Sequence, residues 1–267
     1  YAAINCPSAH RTMIVRTLKK LNDAVTLPTV LPRRTDQGWV FVEDGHQDPI
    51  LGKASLHEIY TESDAHYTGR VTVPVLWDKD RGVIVNNKSS EIIRMLNSAF
   101  GNLGDVGVDL YPEAARPVID EWNALIYETV NNGVYRTGFA RTQEAYEEAF
   151  DALFATLDKL DSHLGKNRYI AGAQASEADW RLFPALVRFD VAYVGAFKCN
   201  RQRIADYENL WPYARELYQV PGVAETVDTG IYKAGYYSMS EERNPLGIVP
   251  KGPVVDFTQA HGRDAFS

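Results

Sequence analysis

Tyr1-Ala2-Ala3-Ile4-Asn5-Cys6-Pro7-Ser8-Ala9-His10-Arg11-Thr12 is the stretch on which the fold turns. Residues 1–5 read as a strand stub. Cys6-Pro7 then opens a helical pattern in which Met13, Ile14, Thr17, Leu18 and Leu21 recur at helical spacing. Proline suits the first helical position, because its missing N–H has no partner there in any case. A thiol at such a start faces unpaired backbone N–H groups and the positive end of the helix dipole, and both favour the thiolate. Arg11, one turn on, adds positive charge. A lone cysteine is more often a buried structural residue, but strand, Cys-Pro and helix in succession favour a nucleophile. His10 is expected on the helix surface. Cys199, between Lys198 and Asn200, has no such setting and is expected to be inert.

Working outward, Trp39–Val42 reads as a second strand. Val71–Trp77 and Val83–Val85 read as a strand pair around the turn Asp78-Lys79-Asp80-Arg81-Gly82. Ser89–Phe100 closes this half as a helix with Ile92, Ile93, Leu96 and Phe100 on one face. Residues 101–112 form a linker whose glycines lack the Lys-Ser/Thr of a phosphate loop. From Glu113 onward the pattern is helical, most clearly at 142–164, where Tyr146, Ala149, Phe150, Leu153, Leu157, Leu160 and Leu164 make an apolar stripe. Ser176-Glu177-Ala178-Asp179 fits a capping box, and Pro184 is expected to bend the helix that follows. Beyond residue 238 the periodicity is lost. The domains expected are thus 1–100, 113–238 and an extended surface tail, 239–267. The fold class is α/β plus all-α, a thioredoxin-like domain followed by a helical bundle.

Bulk properties exclude several functions. The 267 residues are 45% apolar and 24% charged, with a formal net charge of −7. Nucleic-acid binding, which needs a basic face, is therefore not expected. No apolar run approaches the roughly 20 residues that span a bilayer, so no membrane association is expected. Two cysteines make no disulfide framework, which points to a reducing compartment, the cytoplasm. The six histidines lack metal-ligand spacing, and no metal is expected. The chain begins at Tyr1 rather than Met, so the start of the full protein is expected upstream and a targeting segment escapes judgement.

Three further features carry chemistry. Thr72-Val73-Pro74-Val75 places proline in an apparent central strand. Either it marks an edge, or a cis Val73–Pro74 bond presents the Val73 backbone to a peptide-like ligand. Ser89-Ser90 at a helix start either holds a ligand carboxylate or caps the helix. Among 15 tyrosines, Tyr135, Tyr193, Tyr236 and Tyr237 lie in or just after the helical half. Phenols there donate protons in a dry pocket, or simply fill the core.

Together these residues resemble the Xi-class glutathione transferases, the glutathionyl-hydroquinone reductases. Cys6-Pro7-Ser8-Ala9-His10-Arg11-Thr12 is similar to that family's Cys-Pro-Trp-Ala-His-Arg-Thr. Gly38-Trp39-Val40-Phe41, Thr72–Asp78, Ser90–Met95, Asn131–Tyr135, Leu186–Asp190, Tyr193–Asn200 and Asn244–Pro250 follow in order. The resemblance implies a cysteine-type enzyme in which Cys6 cleaves S-glutathionyl-hydroquinone thioethers through a mixed disulfide that a second glutathione resolves. It implies Tyr193 and Tyr236 as proton donors supported by Tyr135, and Trp39, the Val73-Pro74 segment, Ser89 and Arg11 around glutathione. It also implies a homodimer. Two positions depart from the pattern. Ser8 replaces a tryptophan. Lys88 replaces a glutamate expected to pair with the glutathione ammonium, so that a low-molecular-weight thiol other than glutathione comes into question. The alternatives are an omega-like thiol transferase or dehydroascorbate reductase, and a non-catalytic binding module on this fold.

Overall fold

The computed structural model describes residues 1–41 and 46–266. The chain divides into two units, Tyr1–Val108 with Gly230–Gly235, and Asp109–Thr229 with Tyr236–Ser267. Val42, the end of the expected second strand, and Ser267, the last residue of the expected tail, lie outside the described residues.

In the first unit the strand stub at residues 1–5 pairs on both sides. Ala2 N donates to the Pro28 carbonyl at 3.0 Å and Val30 N to the Ala2 carbonyl at 2.9 Å, while Tyr1 exchanges bonds with Val75. Among the described residues, regular pairing continues only in the hairpin of β1 (Leu76–Asp78) and β2 (Val83–Asn86). The strand expected from Val71 starts five residues late, because Pro74 has no N–H to give to a ladder. Thr72 is held instead by the Tyr60 hydroxyl, which donates to its carbonyl at 2.8 Å. Trp39–Phe41 bonds across to residues 54–56 without forming a named strand. These short pairings share a core of Tyr1, Ala3, Phe41, Leu56, Ile59, Tyr60, Val73 and Val75.

α1 runs Pro7–Leu18 and is buried through seven consecutive residues, Ala9 to Val15. The residue expected on its surface, His10, is fully buried and packs its ring against Tyr232, 6.2 Å between centroids. A helix enclosed on every side leaves no polar face for it. α2 (Leu56–Ser63), which is not among the expected elements, is nucleated by a reciprocal Ser55–Glu58 capping box. α3 (Ser89–Ser98) buries Ile92, Ile93 and Leu96, and Phe100 falls beyond its end.

The second unit is helical: α4 (Arg116–Ile126), α5 (Gly133–Gly138), α6 (Gln143–Leu164), α7 (Glu177–Arg188), α8 (Val194–Ala196) and α9 (Leu210–Tyr218). α10 (Thr229–Tyr236) is the last α-helix of the described residues. Every residue of α7 is buried, and most of its polar side chains are hydrogen-bonded, Trp180 Nε1 and Arg181 Nε being exceptions. The Ser176–Asp179 capping box supplies such bonds at its start. Asp179 also accepts from Ile170 N at 2.9 Å and from the Tyr213 hydroxyl at 2.6 Å, although burial pushes its carboxyl above the usual range. Single π-helical turns follow α4 at Tyr127–Asn131 and α7 at Phe189–Tyr193.

The tail has no regular structure, yet it is anchored rather than merely extended over the surface. Phe257 packs between Trp211 and Tyr218. Arg263, 3% exposed, donates to Glu216 at 2.9 Å and to the carbonyls of Leu164, Asn167 and Arg168. Removing one member of such a network strands the others without solvent. Arg263→Met is expected to destabilise the protein by about 3 kcal/mol or more, read as a lower denaturation midpoint. A change under about 1 kcal/mol would show that the tail is only loosely attached.

Candidate functional site

Pro7 confines Cys6 to extended backbone, φ −82° and ψ 120°, so Cys6 is the N-cap of α1. Its carbonyl accepts the first helical bond from His10 N at 3.0 Å. The half-buried thiol makes no cap bond. It donates to the Val73 carbonyl, Sγ to O 3.8 Å. Because Pro7 lacks an N–H, Ser8 and Ala9 carry the amides that an anion on this sulfur would meet first. The Val73–Pro74 peptide is cis, the second of the two arrangements its sequence left open.

Ser89 and Arg11 meet beside this end of α1. Arg11, 4% exposed, donates from Nη1 to Ser89 Oγ at 3.2 Å. Ser89 is not the cap of α3. That position belongs to Lys88, whose own N–H donates to Asn86 Oδ1 at 2.7 Å. The Lys88 ammonium is 71% exposed and pairs with Glu91 at 3.1 Å. Asn86 and Lys88 in turn hold the Glu91 carboxyl below its ordinary range. Trp39 packs on the core of this unit under the Arg34 guanidinium, 5.8 Å from its ring centroid. A cavity of about 410 Å³ in the same unit is lined by Leu27, Pro28, Val75, Leu96 and Phe100 but not by Cys6. Pro74, next to the residue whose carbonyl meets the thiol, also lines it.

In the second unit three of the tyrosines converge. The Tyr135 and Tyr236 hydroxyls are 2.6 Å apart, and those of Tyr193 and Tyr236 are 3.2 Å apart. Phe197 stacks on Tyr193 at 5.5 Å and meets Tyr236 edge-on at 5.5 Å. This approach depends on Gly138, where an added Cβ would lie 2.3 Å from the Phe197 ring. Tyr237 stands apart, its hydroxyl donating to the Ala192 carbonyl at 3.4 Å. Desolvation pushes the Tyr193 and Tyr236 phenols well above the ordinary value, the neighbouring phenols adding to the rise and the Arg188 charge opposing it. They therefore stay protonated through neutral pH and are able to donate. Cys199 is fully buried, and burial pushes its thiol up to about 12.

Sequence reasoning missed Phe197 and Gly138, although the four-residue Tyr193-to-Phe197 spacing marks one helical face. Among the described residues no group of three or more His, Cys, Asp or Glu is placed to hold a metal ion.

A thiol capping a helix beside a cis-proline, in a chain whose second unit is all helical, defines the class of cysteine-type glutathione transferases. Comparisons agree on both units. Residues 5–99 match the model for the glutathione S-transferase N-terminal domain, and residues 143–216 that for its C-terminal domain. The chain is 47% identical to the glutathionyl-hydroquinone reductase YqjG of Escherichia coli, covering 99% of this chain and 81% of that one. It is 51% identical to the glutathionyl-hydroquinone reductase PcpF of Sphingobium chlorophenolicum, covering 95% and 82%. Glutathione S-transferase omega-like 2 of Schizosaccharomyces pombe is 42% identical over 95% and 84%. The glutathione-bound structure of the Escherichia coli YqjG superposes with a TM-score of 0.96 at 47% identity, over 99% of this chain and 87% of that one. A Xi-class enzyme from Natrialba magadii gives 0.96 at 45%, over 99% and 83%. The chain belongs to the glutathione transferase family, and within it to the Xi class.

The buried acids imply a definite pH response. A thiol or phenol whose pKa is raised by folding contributes stability that is complete below its ordinary value and lost as pH climbs towards the folded one. For Cys199 that window opens near 9 and extends to about 12, and the tyrosines add to it above 10. The thermal midpoint is expected to fall as pH rises past 9, and to fall less steeply in Cys199→Ala than in the native chain. Parallel curves for the two proteins would count against this account.

Proposed function

We propose that this protein is a thiol-dependent reductase that cleaves S-glutathionyl-hydroquinones, with glutathione as co-substrate. The observation that carries the reading is the half-buried thiol at the N-cap of α1, lying on the Val73 carbonyl beside a cis-proline. The Cys6 thiolate attacks the glutathionyl sulfur. The sulfur–ring bond breaks, and its electron pair stays on the ring carbon, which takes a proton and leaves as hydroquinone. A mixed disulfide of Cys6 and glutathione remains. A second glutathione thiolate attacks the glutathionyl sulfur of that disulfide, expels Cys6 as thiolate and departs as glutathione disulfide. The thioether sulfur and the sulfur of the second glutathione are oxidised by one electron each, and the ring carbon gains both electrons.

Tyr193 and Tyr236 supply the proton, and Tyr135 shares it through the 2.6 Å contact with Tyr236. Trp39, the Val73-Pro74 backbone, Ser89 and Arg11 hold the peptide part of glutathione, Arg11 by fixing the Ser89 hydroxyl. Residues 1–100 form the thiol-binding domain, 113–238 the helical domain and 239–267 the tail. A homodimer and a cytoplasmic location belong to the same proposal. The location is supported by two unpaired cysteines, and no described helix is long and apolar enough to cross a membrane. The omega-like thiol transferase reading draws support from the Schizosaccharomyces pombe relative.

Incubating the protein with an S-glutathionyl-hydroquinone and no free glutathione is expected to add one glutathionyl group to Cys6 and release one equivalent of hydroquinone, measured by mass spectrometry. Cys6→Ser is expected to do neither. Tyr236→Phe is expected to slow hydroquinone release by about 100-fold. Faster turnover on a glutathione–cysteine disulfide than on the quinol thioether would favour the omega-like reading. Modification of neither substrate would leave only a binding module.

Lys88 bears on the choice of thiol. Its positive charge repels an ammonium nearby, but its exposure and its pairing with Glu91 weaken that field. Lys88→Glu is expected to tighten glutathione binding by up to about fivefold in titration calorimetry at low salt. Unchanged affinity would mean that Lys88 plays no part in thiol choice.

A further inference from the structure

Arg188 is the last residue of α7 and has no solvent exposure. A guanidinium carries its charge at any physiological pH, and taking it out of water is costly unless the structure uses its field. Its side chain is not free to wander. Nη1 donates to the Pro184 carbonyl one turn back at 2.9 Å, which ties the charge against its own helix.

The turn that follows α7 explains where that charge acts. Phe189–Tyr193 is π-helical, and Val194 N–H bonds the Phe189 carbonyl five residues back. In an α-helix, residues five apart diverge by about 140° around the axis. A turn closed by an i→i+5 bond brings them nearer to one face, here Arg188 and Tyr193. Tyr193 is 1% exposed, and its hydroxyl is 3.2 Å from that of Tyr236. The Arg188 charge is felt at both phenols, where it opposes the effect of burial.

We propose that Arg188 is a positioning residue of the reductase, a fixed buried cation that stabilises the phenolate left on the Tyr193–Tyr236 pair when one of them gives up its proton. The proposal rests on the function assigned above. In a buried site a donating phenol becomes an anion without water to solvate it, and a fixed positive charge in reach lowers that cost. Arg188 acts through the tyrosines. It holds no substrate atom, so its loss affects the proton-transfer step and not glutathione binding. The π-turn is part of the same device, because it rotates Tyr193 towards the face of the residue that closes α7.

Arg188→Met removes the charge at similar bulk, and Arg188→Lys keeps it. Arg188→Met is expected to lower kcat on an S-glutathionyl-hydroquinone by about tenfold or more. The KM for glutathione and the rate of Cys6 alkylation are expected to stay at native values, and Arg188→Lys to recover most of the lost rate. A folded Arg188→Met with native kcat, a rise in KM alone, or a lysine variant as slow as the methionine one would overturn the proposal. An activity-independent arm uses protein labelled with 3-fluorotyrosine, whose phenol is more acidic than that of tyrosine. Fluorine resonances assigned through Tyr193→Phe and Tyr236→Phe are followed with pH. The two midpoints are expected to lie higher in Arg188→Met than in Arg188→Lys, and equal midpoints would overturn the proposal. Where native protein fails to turn over the thioether, the assigned reaction is wrong, while this second arm still decides whether Arg188 governs the phenols.

Discussion

Proline at position 7 is the constraint on which the first unit depends. Its ring excludes the helical conformation for the residue before it, so the chain must enter α1 through an extended Cys6. The same extended backbone lets residues 1–3 pair as a strand with Pro28–Val30 on one side and Val75 on the other. One substitution-sensitive junction thus joins strand to helix, orders the core and leaves a thiol where the helix amides begin. Pro74 has a parallel effect on the opposite segment. It interrupts the ladder and leaves the Val73 carbonyl turned to the sulfur instead of a neighbouring strand.

The second unit solves a different problem, keeping polar chemistry inside an apolar bundle. α7 is buried throughout, so every charge on it is either hydrogen-bonded or held by a neighbour. Asp179 gathers four donors, and Arg188 is tied to Pro184. The tyrosines follow this logic. Their hydroxyls satisfy one another, and the Phe197 ring shields them. Burial makes them poor acids in isolation, which keeps them protonated through neutral pH.

How much of this was legible beforehand varies with the range of the signal. The start of α1, the stripe of α6 and the Ser176 capping box are local patterns, and the structure reproduces each. The hairpin was visible from its turn, but its first strand was read too long because apolar content outweighed the missing amide of Pro74. His10 was misplaced because amphipathic reasoning assumes one wet face, and α1 has none over Ala9–Val15. The meeting of Tyr135, Tyr193 and Tyr236 spans about a hundred residues of chain, and no periodicity encodes it. Only the family resemblance singled out those three from fifteen. The π-turns have no composition cue of their own.

Cys199 holds a last consequence. Sealed in apolar surroundings, with its proton held to about pH 12, it has no capacity to discharge a disulfide formed elsewhere on the chain. Under the reaction proposed above, a molecule loaded at Cys6 waits for free thiol. When that supply runs short, the proposed cycle halts in the loaded form, and throughput follows the availability of thiol rather than the amount of quinone presented.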